Sequence, residues 1–351
     1  MSNSSSILEV NLKNFIHNYK VFKKYIKNKK VAATIKANAY GIGDKKAFST
    51  LYNNGCRHFF LATVKEGLEL RKFYKKGYIY ILNGLENNDI NIFKINKLIP
   101  ILNSKIEIKV IEKTELKFGI HIDTGLNRLG INKIDLPKKI YNKKNLQIVL
   151  SHLASSDEKK NIYNDFQNNK FKSINNLFKN KKIIFSLANS MGTILGKDFH
   201  YDLVRPGISL YGGHYNTKLK KYIKPVVKLK AIILQIKQIL KNEFIGYNQT
   251  YKTKKKIWIA IIGIGYGDGI SRMLSNKGFV YYKKHKFRIL GRVSMDTITI
   301  DISKSNQLLK IGQYVEIINY SHGIDELAKQ CKTISNEILT SISNRVHRIY
   351  K

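Results

Sequence analysis

A lysine at the end of an apolar segment is the first candidate for chemistry in this sequence. Residues 31–35 are apolar or β-prone, and Lys36 follows them directly, ahead of Tyr40 and Gly41. An apolar run that ends at a glycine-containing turn is typical of a buried parallel strand, and α/β proteins place their chemistry at the carboxyl ends of such strands. Partial desolvation there lowers the pKa of a lysine and makes it a nucleophile or a Schiff-base former. The alternative is a strand-end lysine that extends to solvent.

Other reactive residue types follow further predicted strands. They are residues 123–128, His152, Asn189 with Ser190, and Arg205 with Gly207 and Ile208. The Ser190 hydroxyl and the amides of the following helix start would suit a phosphate, as would amides at 207–208. In an eight-stranded α/β barrel the phosphate site follows the seventh and eighth strands, which is where these residues fall. A lysine that traps an aldehyde, next to a phosphate site, indicates pyridoxal 5′-phosphate.

The elements that must position these residues alternate between strand and helix. Strands are predicted at 31–36, 58–64, 78–83, 98–102, 116–123, 146–152, 183–189 and 203–211. Most are separated by helical segments, at 45–53, 66–75, 88–97, 104–113, 161–178 and 191–199. Eight alternating strands favour parallel βαβ units that close into a (β/α)₈ TIM-type barrel. A doubly wound open sheet is the competing topology, which periodicity does not exclude.

The alternation stops near residue 225. Strands with short connections follow at 226–239, 257–263, 279–282, 287–290, 297–302 and 313–318, with a hairpin loop at 283–286 and closing helices at 324–332 and 336–343. Successive strands without helices predict a mostly antiparallel β domain. We therefore expect a barrel domain at 1–225 and a C-terminal β domain at 226–351. A short strand at 6–12, followed by a helix at 16–26, is available to pair with the β domain.

Composition excludes several classes of function. The net charge of +39 is spread over nearly every polar face, without a stripe or a nucleic-acid-binding motif, so we expect only salt-sensitive, non-specific binding of polyanions. Two cysteines give no disulfide framework and no four-ligand zinc site, and we expect no metal. No apolar run is long enough to span a bilayer, and the polar start lacks the pattern of a secretory signal. These features favour a cytoplasmic protein without a membrane partner.

The sequence resembles the alanine racemases, barrel-type pyridoxal-phosphate enzymes, from about residue 7 to 350. Seven motifs carry the resemblance in family order: residues 36–41 (KANAYG), 123–130 (DTGLNRLG), 188–190 (ANS), 204–208 (VRPGI), 246–247 (GY), 264–269 (IGYGDG) and 291–296 (GRVSMD). The resemblance implies a homodimer that interconverts L-alanine and D-alanine for peptidoglycan. A racemase of other or broader specificity and a non-catalytic pyridoxal-phosphate-binding protein remain alternatives.

The resemblance also implies a role for each matching residue. Lys36 would hold the cofactor and serve as one acid/base, and Tyr247 from the partner's β domain would be the second. The phosphate would be bound by Tyr40, Asn189, Ser190, Gly207 and Ile208. Arg205 would face the pyridine nitrogen, and His152 would orient Tyr247 and link it to Arg205. The substrate carboxylate would bind to Arg128 and to the backbone of Met295, while Tyr266 and Arg272 would line the mouth of the site with Asp157 nearby.

Four positions depart from the family pattern. His121 stands where the family usually has a lysine that becomes carbamylated and props the substrate-binding arginine, so another group must position Arg128. Ile42 and Ser186 each replace a common histidine. Asn344 replaces a tyrosine that contacts the phosphate in many relatives. None of these departures changes Lys36 or Tyr247, the two residues that would act as acid/base groups.

Overall fold

The first domain is built around a ring of parallel strands. The computed structural model describes residues 4–85, 90–178, 180, 182–215 and 217–351. Its barrel strands are β2 (Lys30–Val31), continued after one residue by β3 (Ala33–Thr34), then β4 (His58–Leu61), β5 (Tyr78–Ile81), β6 (Leu98–Leu102), β7 (Phe118–His121), β8 (Leu146–Leu150), β9 (Ile184–Ser186) and β10 (Leu203–Val204). β3 to β9 pair in sequence order, and β10 pairs with β2; all of these pairings are parallel.

Backbone hydrogen bonds between β9 and β10 complete the ring. Asp202 N donates to Phe185 O at 3.0 Å, and Arg205 N donates to Ala188 O at 2.8 Å. Inside the ring, strand side chains form a separate apolar cluster that includes Phe60, Tyr80 and Ile148. This arrangement fills the interior as a packed core, as in other eight-stranded barrels. The predicted (β/α)₈ barrel is confirmed, and the open doubly wound sheet is wrong.

Helices alternate with most of the barrel strands and also follow the β domain, and most of them lie within a few residues of their predicted bounds. The α-helices are Leu12–Ile26, Asp44–Asn53, Val64–Arg71, Ile90–Ile95, Lys105–Ile111, Tyr163–Asn175, Thr217–Lys220, Ile324–Gln330 and Ser335–Thr340. Residues 88 and 89 of the predicted helix at 88–97 lie outside the described residues, as do residues 1–3 of the polar start. Thr63 and Glu66 form a reciprocal capping box at the start of Val64–Arg71, which satisfies two backbone donors that the helix itself leaves unpaired.

Two predicted elements of the barrel are wrong. The helix expected at 191–199 is a pair of 3₁₀ turns, Gly192–Ile194 and Lys197–Phe199, separated by Gly196 at φ 158°. The strand expected at 203–211 ends after Val204, and Ile208–Tyr211 is a 3₁₀ turn. Pro206 has no N–H to donate to a ladder and Gly207 follows it, so a strand does not continue there.

We predict that Gly119→Ala destabilises the barrel, because a Cβ at this position of β7 would lie 2.5 Å from both Ile101 Cδ1 and Ile148 Cγ2. Overpacking of a barrel core costs roughly 1–3 kcal/mol of unfolding free energy, measurable by urea denaturation. Gly323→Ala is the matched control, since its Cβ would approach no atom closer than Glu326 Oε2, at 3.3 Å. A Gly119→Ala protein as stable as this control would contradict the prediction.

The second domain is an eight-stranded sheet that includes the first strand of the chain. Its members are β1 (Ser6–Val10), β11 (Val227–Ile239), β14 (Ile257–Ile262), β15 (Phe279–Tyr282), β16 (His285–Leu290), β17 (Ile298–Asp301), β18 (Tyr314–Ile318) and β19 (His347–Tyr350). Their order is β14-β17-β16-β15-β18-β11-β1-β19, and β14 also pairs with β11. All pairings are antiparallel except that of β1 with β19. The predicted antiparallel β domain is confirmed.

Two hairpins of this domain differ from each other in length. The loop predicted at 283–286 is too long, because His285 and Lys286 already pair with Tyr282 and Tyr281. The other hairpin joins β12 (Phe244–Ile245) to β13 (Tyr251–Lys252), and a 3₁₀ turn at Tyr247–Gln249 forms its tip.

No helix within the described part of the chain is long and apolar enough to cross a membrane.

Candidate active site

A cavity of about 670 Å³ opens at the carboxyl ends of the barrel strands. It brings together nine residues that sequence analysis assigned to the site: Lys36, Tyr40, Arg128, His152, Asn189, Ser190, Arg205, Gly207 and Ile208. Asp157 also lines it. Parallel strands end at one edge of the barrel, so residues far apart in sequence converge there. Chemistry at this cavity can therefore draw on one lysine, two arginines, two histidines and several hydrogen-bond donors.

Lys36 follows β3 and is largely shielded from water. Burial lowers the pKa of its amine, the nearby Arg128 guanidinium lowers it further, and the Glu66 carboxylate acts in the opposite direction. A lowered pKa increases the neutral fraction, which is the nucleophilic form of a lysine. Among the described residues that line the cavity, Lys36 is the only lysine.

The four residues after Lys36 form a left-handed helical turn. Ala37, Asn38, Ala39 and Tyr40 all have φ between 51° and 54°, a region that costs non-glycine residues roughly 1–2 kcal/mol each. Ala37 N donates to Glu66 Oε1 at 2.6 Å, while Ala37 O accepts from Gly41 N at 3.0 Å. Such consecutive strain persists only where surrounding structure holds it, and it concentrates at functional sites.

We predict that Arg128→Gln raises the pKa of Lys36, because a positive neighbour disfavours the ammonium form. The pH profile of Lys36 acylation by a small amine-reactive reagent would then move to higher pH. At a fixed pH below the new midpoint, labelling would be slower than in the parent. Arg57→Gln is the control, since Arg57 lies over the Tyr52 ring and not in the cavity. An unchanged or lowered midpoint in Arg128→Gln would contradict the prediction.

Hydrogen-bond donors converge at one end of the cavity. Ser190 Oγ accepts from Gly207 N at 2.9 Å and from Ser209 N at 3.4 Å, so its own O–H is left to donate. Ile208 N and Tyr40 Oη have no acceptor within the described residues. The buried Ser209 hydroxyl likewise has no partner there. Clustered donors without acceptors at a 3₁₀ start fit a phosphate.

Gly207 is required by the approach of Tyr40. A Cβ on Gly207 would lie 2.5 Å from Tyr40 Oη. The Tyr40 ring is buried and stacks on Tyr211, with centroids 4.5 Å apart, and Tyr211 Oη donates to Thr34 O at 2.8 Å. These contacts fix the Tyr40 hydroxyl beside the anion-binding end of the cavity.

Arg205 is buried among neutral acceptors. Its Nη1 donates to Ser186 Oγ at 2.5 Å, and its Nη2 donates to Ser151 O at 2.5 Å and Leu187 O at 3.3 Å. Burial lowers its pKa to about 9, still above neutral pH, so the guanidinium stays protonated. Ser186 thus has a defined role as an acceptor for Arg205. A group placed against Arg205 meets a permanent donor.

Two histidines lie near this arginine, and both are held neutral. Burial and then Arg205 lower the pKa of His121 to about 4, and burial likewise lowers the pKa of His152 far below its usual value. His121 Nδ1 lies 3.1 Å from Asn103 Oδ1, so Nδ1 carries the proton. The His152 ring has no hydrogen bond to Arg205, whose Nη1 and Nη2 donate to the neighbours described above and whose Nε has no acceptor within the described residues. Arg128 has no hydrogen bond or ion pair within the described residues, which leaves it available for an anion.

The other predicted site residues lie on the surface of the β domain. Tyr247 is at the tip of the β12–β13 hairpin and 67% exposed, and Tyr266 and Met295 are 43% and 52% exposed. Tyr266 N donates to Ser294 O at 3.0 Å, so the segments carrying Tyr266 and Met295 are adjacent. None of the three lines the cavity of its own chain. Arg272 instead borders a separate surface depression of this domain.

Two of the cavity-lining residues that sequence analysis missed, Tyr215 and Asn336, contact each other. The Tyr215 hydroxyl donates to Asn336 Oδ1, which joins the end of the barrel to the helix Ser335–Thr340. Burial raises the pKa of Tyr215 to about 12, so the phenol is neutral. Asn344, by contrast, is exposed and does not line the cavity. No local pattern marks a C-terminal helix as a wall of the barrel cavity.

A partly desolvated lysine beside an anion-binding end, at the carboxyl edge of a (β/α)₈ barrel, is the arrangement expected of a barrel enzyme that acts through a lysine. Family models described as the N-terminal and C-terminal domains of alanine racemase match residues 10–215 and 226–350. The chain is 40% identical to an alanine racemase of Rickettsia bellii over 93% of this chain and 82% of that protein. It is 35% identical to one of Brucella abortus, over 99% and 94%. The chain belongs to the alanine racemase family.

Solved structures of this family share the fold over the whole chain. The alanine racemase of Bartonella henselae, with covalently bound pyridoxal phosphate, superposes with a TM-score of 0.93 at 34% identity, covering 99% of this chain and 100% of that one. The alanine racemase of Bacillus anthracis, with bound L-Ala-P, gives a TM-score of 0.90 at 28% identity, covering 100% and 96%.

Proposed function

We propose that this protein is an alanine racemase that uses pyridoxal 5′-phosphate to interconvert L-alanine and D-alanine and so supplies D-alanine for peptidoglycan. The observation that carries the proposal is the cavity itself, which places Lys36 together with a cluster of donors that suits a phosphate. The covalently bound pyridoxal phosphate of the Bartonella henselae relative supports the choice of cofactor.

The donors at the anion-binding end fit the cofactor phosphate. Tyr40 Oη, Ser190 Oγ and Ile208 N would donate to it, and Gly207 N would act by orienting Ser190. Asn189 lies beside them, and its Oδ1 accepts from Ser156 Oγ at 3.0 Å and Gly192 N at 2.8 Å. Lys36 would hold the aldehyde carbon. When bound, the cofactor withdraws electrons from the α-carbon of the amino acid.

Arg205 would face the pyridine nitrogen of the cofactor. Because this guanidinium stays protonated, it donates a hydrogen bond and leaves the nitrogen without a proton. An unprotonated pyridine ring would be a weaker electron sink, which favours simple proton exchange over transamination or decarboxylation. Pyridoxal enzymes built for such reactions use a carboxylate at this position.

Racemisation requires two proton-carrying groups on opposite faces of one carbon. Lys36 Nζ would serve one face, and its lowered pKa favours the neutral amine that accepts a proton. Tyr247 Oη of a second copy would serve the other face, with His152 behind it. Arg128 and the backbone N–H of Met295, which has no acceptor within the described residues, would hold the substrate carboxylate, and Tyr266 would border the mouth.

We infer a homodimer from the location of Tyr247. Within one chain this residue is exposed and outside the cavity, so a site with two faces needs the β domain of a partner. In this arrangement a barrel domain at 1–225 holds the cofactor, and a β domain at 226–351 completes the partner's site. The two cysteines are free and buried, which is compatible with a cytoplasmic location.

Deuterium exchange at the α-carbon tests the proposed reaction. The holoenzyme in deuterium oxide is expected to label both alanine enantiomers and to interconvert them. Exchange with serine or lysine but not alanine would indicate a racemase of another specificity. Bound cofactor without exchange of any amino acid would indicate a non-catalytic pyridoxal-phosphate-binding protein.

A further inference from the structure

The left-handed turn after Lys36 is held from outside by the last strand of the chain. Arg348 Nε donates to Gly41 O at 3.1 Å, and Tyr350 Oη donates to Ile42 O at 2.9 Å. These two carbonyls directly follow the turn. β19, which carries both side chains, belongs to the β-domain sheet, so a second domain contacts the segment that carries the barrel lysine.

Arg348 is itself tightly fixed. Its Nη1 donates to Ser343 O at 2.6 Å and Val346 O at 2.7 Å, and its Nη2 donates to Ile342 O at 2.8 Å. Arginine presents its donors in a rigid planar fork. Because the fork is bonded on its other edges, the position of Nε is set by the C-terminal segment, and Gly41 O is held in turn.

The fit between the two segments is close. A Cβ at Gly41 would clash with Leu339 O, and one at Gly43 would clash with Tyr350 Oη. On the opposite side, Glu66 accepts from Ala37 N at 2.6 Å and is itself fixed, as its Oε2 accepts from Ala62 N at 2.7 Å. The strained turn is therefore clamped between a helix cap of the barrel and the last strand of the β domain.

We propose that Arg348 and Tyr350 are positioning residues for Lys36, which they orient by holding the left-handed turn from the β domain of the same chain. The inference rests on the proposed function for its catalytic consequence. Neither side chain lines the cavity, so any effect on the reaction must pass through the turn. Each β domain would then support the lysine of its own barrel while offering Tyr247 to its partner.

Two variants and one matched control test this proposal. Arg348→Met removes the clamp, and Tyr350→Phe removes a single hydrogen bond with minimal effect on folding. Arg71→Met is the control, because Arg71 also donates only to backbone carbonyls, including Asn96 O at 2.9 Å and Gly77 O at 2.8 Å, at the opposite end of the barrel. Thermal unfolding of the three variants would show how much stability each has lost relative to the parent.

Three readouts distinguish positioning from support of the fold: the pH profile of Lys36 acylation in the unloaded protein, the pH dependence of the visible absorbance of the lysine-bound cofactor, and kcat separately from KM. For Arg348→Met we expect both pH profiles to shift and kcat to fall on the order of 10²-fold, the effect of about 1 Å of misplacement. For Tyr350→Phe we expect smaller shifts of both pH profiles and a fall in kcat of roughly tenfold. Arg71→Met should change none of them.

The acylation profile keeps the proposal independent of the proposed function, because it needs no cofactor. If the profiles of Arg348→Met and Tyr350→Phe both coincide with those of the parent or of Arg71→Met, the inference is wrong. If the profile shifts but the parent holds no lysine-bound cofactor, the positioning role stands and the proposed function fails.

Discussion

Lys36→Ala is expected to lose both the visible absorbance of the bound cofactor and the racemisation of alanine. Lys36 is the only lysine among the described residues of the cavity, so no other amine in that wall can replace it. Loss of a nucleophile that also serves as an acid/base is expected to lower kcat by at least roughly 10³-fold. Spectra after dialysis against pyridoxal phosphate, together with a coupled assay of each alanine enantiomer, would measure both effects.

Lys65→Ala is the matched control for this variant. Lys65 is an exposed lysine in the first turn of Val64–Arg71, and its replacement should leave spectrum and activity unchanged. Peptide mapping of the borohydride-reduced parent should place the cofactor on Lys36. A Lys36→Ala protein that keeps a reducible cofactor linkage on another lysine would refute the assignment.

Tyr247→Phe is expected to separate the two faces of the reaction. The variant keeps the ring and removes only the hydroxyl, so cofactor binding and stability should persist. Racemisation should fall by about 10²–10⁴-fold, the usual contribution of one general acid/base. Exchange of the α-proton of the enantiomer served by Lys36 should survive better than exchange of the other, and mass spectrometry of each enantiomer would measure this asymmetry.

Tyr251→Phe, on the second strand of the same hairpin, is the control for Tyr247→Phe. The tyrosine 251 hydroxyl has no hydrogen bond within the described residues, so its loss should leave both exchange rates at the level of the parent. Equal slowing of both enantiomers in Tyr247→Phe, or no slowing, would argue against a second base at this position.

A mixing experiment tests whether Lys36 and Tyr247 meet across a subunit boundary. When the two inactive variants exchange subunits, a mixed dimer combines an intact barrel of one chain with an intact Tyr247 of the other. Random exchange should restore on the order of a quarter of the parental activity. If one chain supplies both groups, mixing restores nothing.

The order of the barrel strands and the place of Lys36 could be predicted because each depends on a local pattern. Apolar runs mark buried strands, and a chain of alternating strands and helices leaves few ways to close. The conformation after Lys36 could not be predicted. Ala37, Asn38, Ala39 and Tyr40 have no common preference for positive φ, and tertiary contacts from Glu66 and β19 impose it.

The candidate site was predictable where a reactive residue type directly follows a predicted barrel strand, as for Lys36, His152 and Arg205. It was not predictable where one part of the chain reaches across to another. Tyr215 and Asn336 meet through a contact between residues far apart in sequence, and neither stands in a recognisable motif. The neutral acceptor that Ser186 offers to Arg205 is likewise visible only in three dimensions.

The place of β1 between β11 and β19 has a consequence for biosynthesis. Ser6–Val10 is translated long before His347–Tyr350, the strand with which it pairs. Contacts of such wide sequence separation form late. The growing chain must therefore carry one edge of β1 without its partner until β19 has been made, and truncation before residue 347 would leave the backbone groups of that edge unpaired.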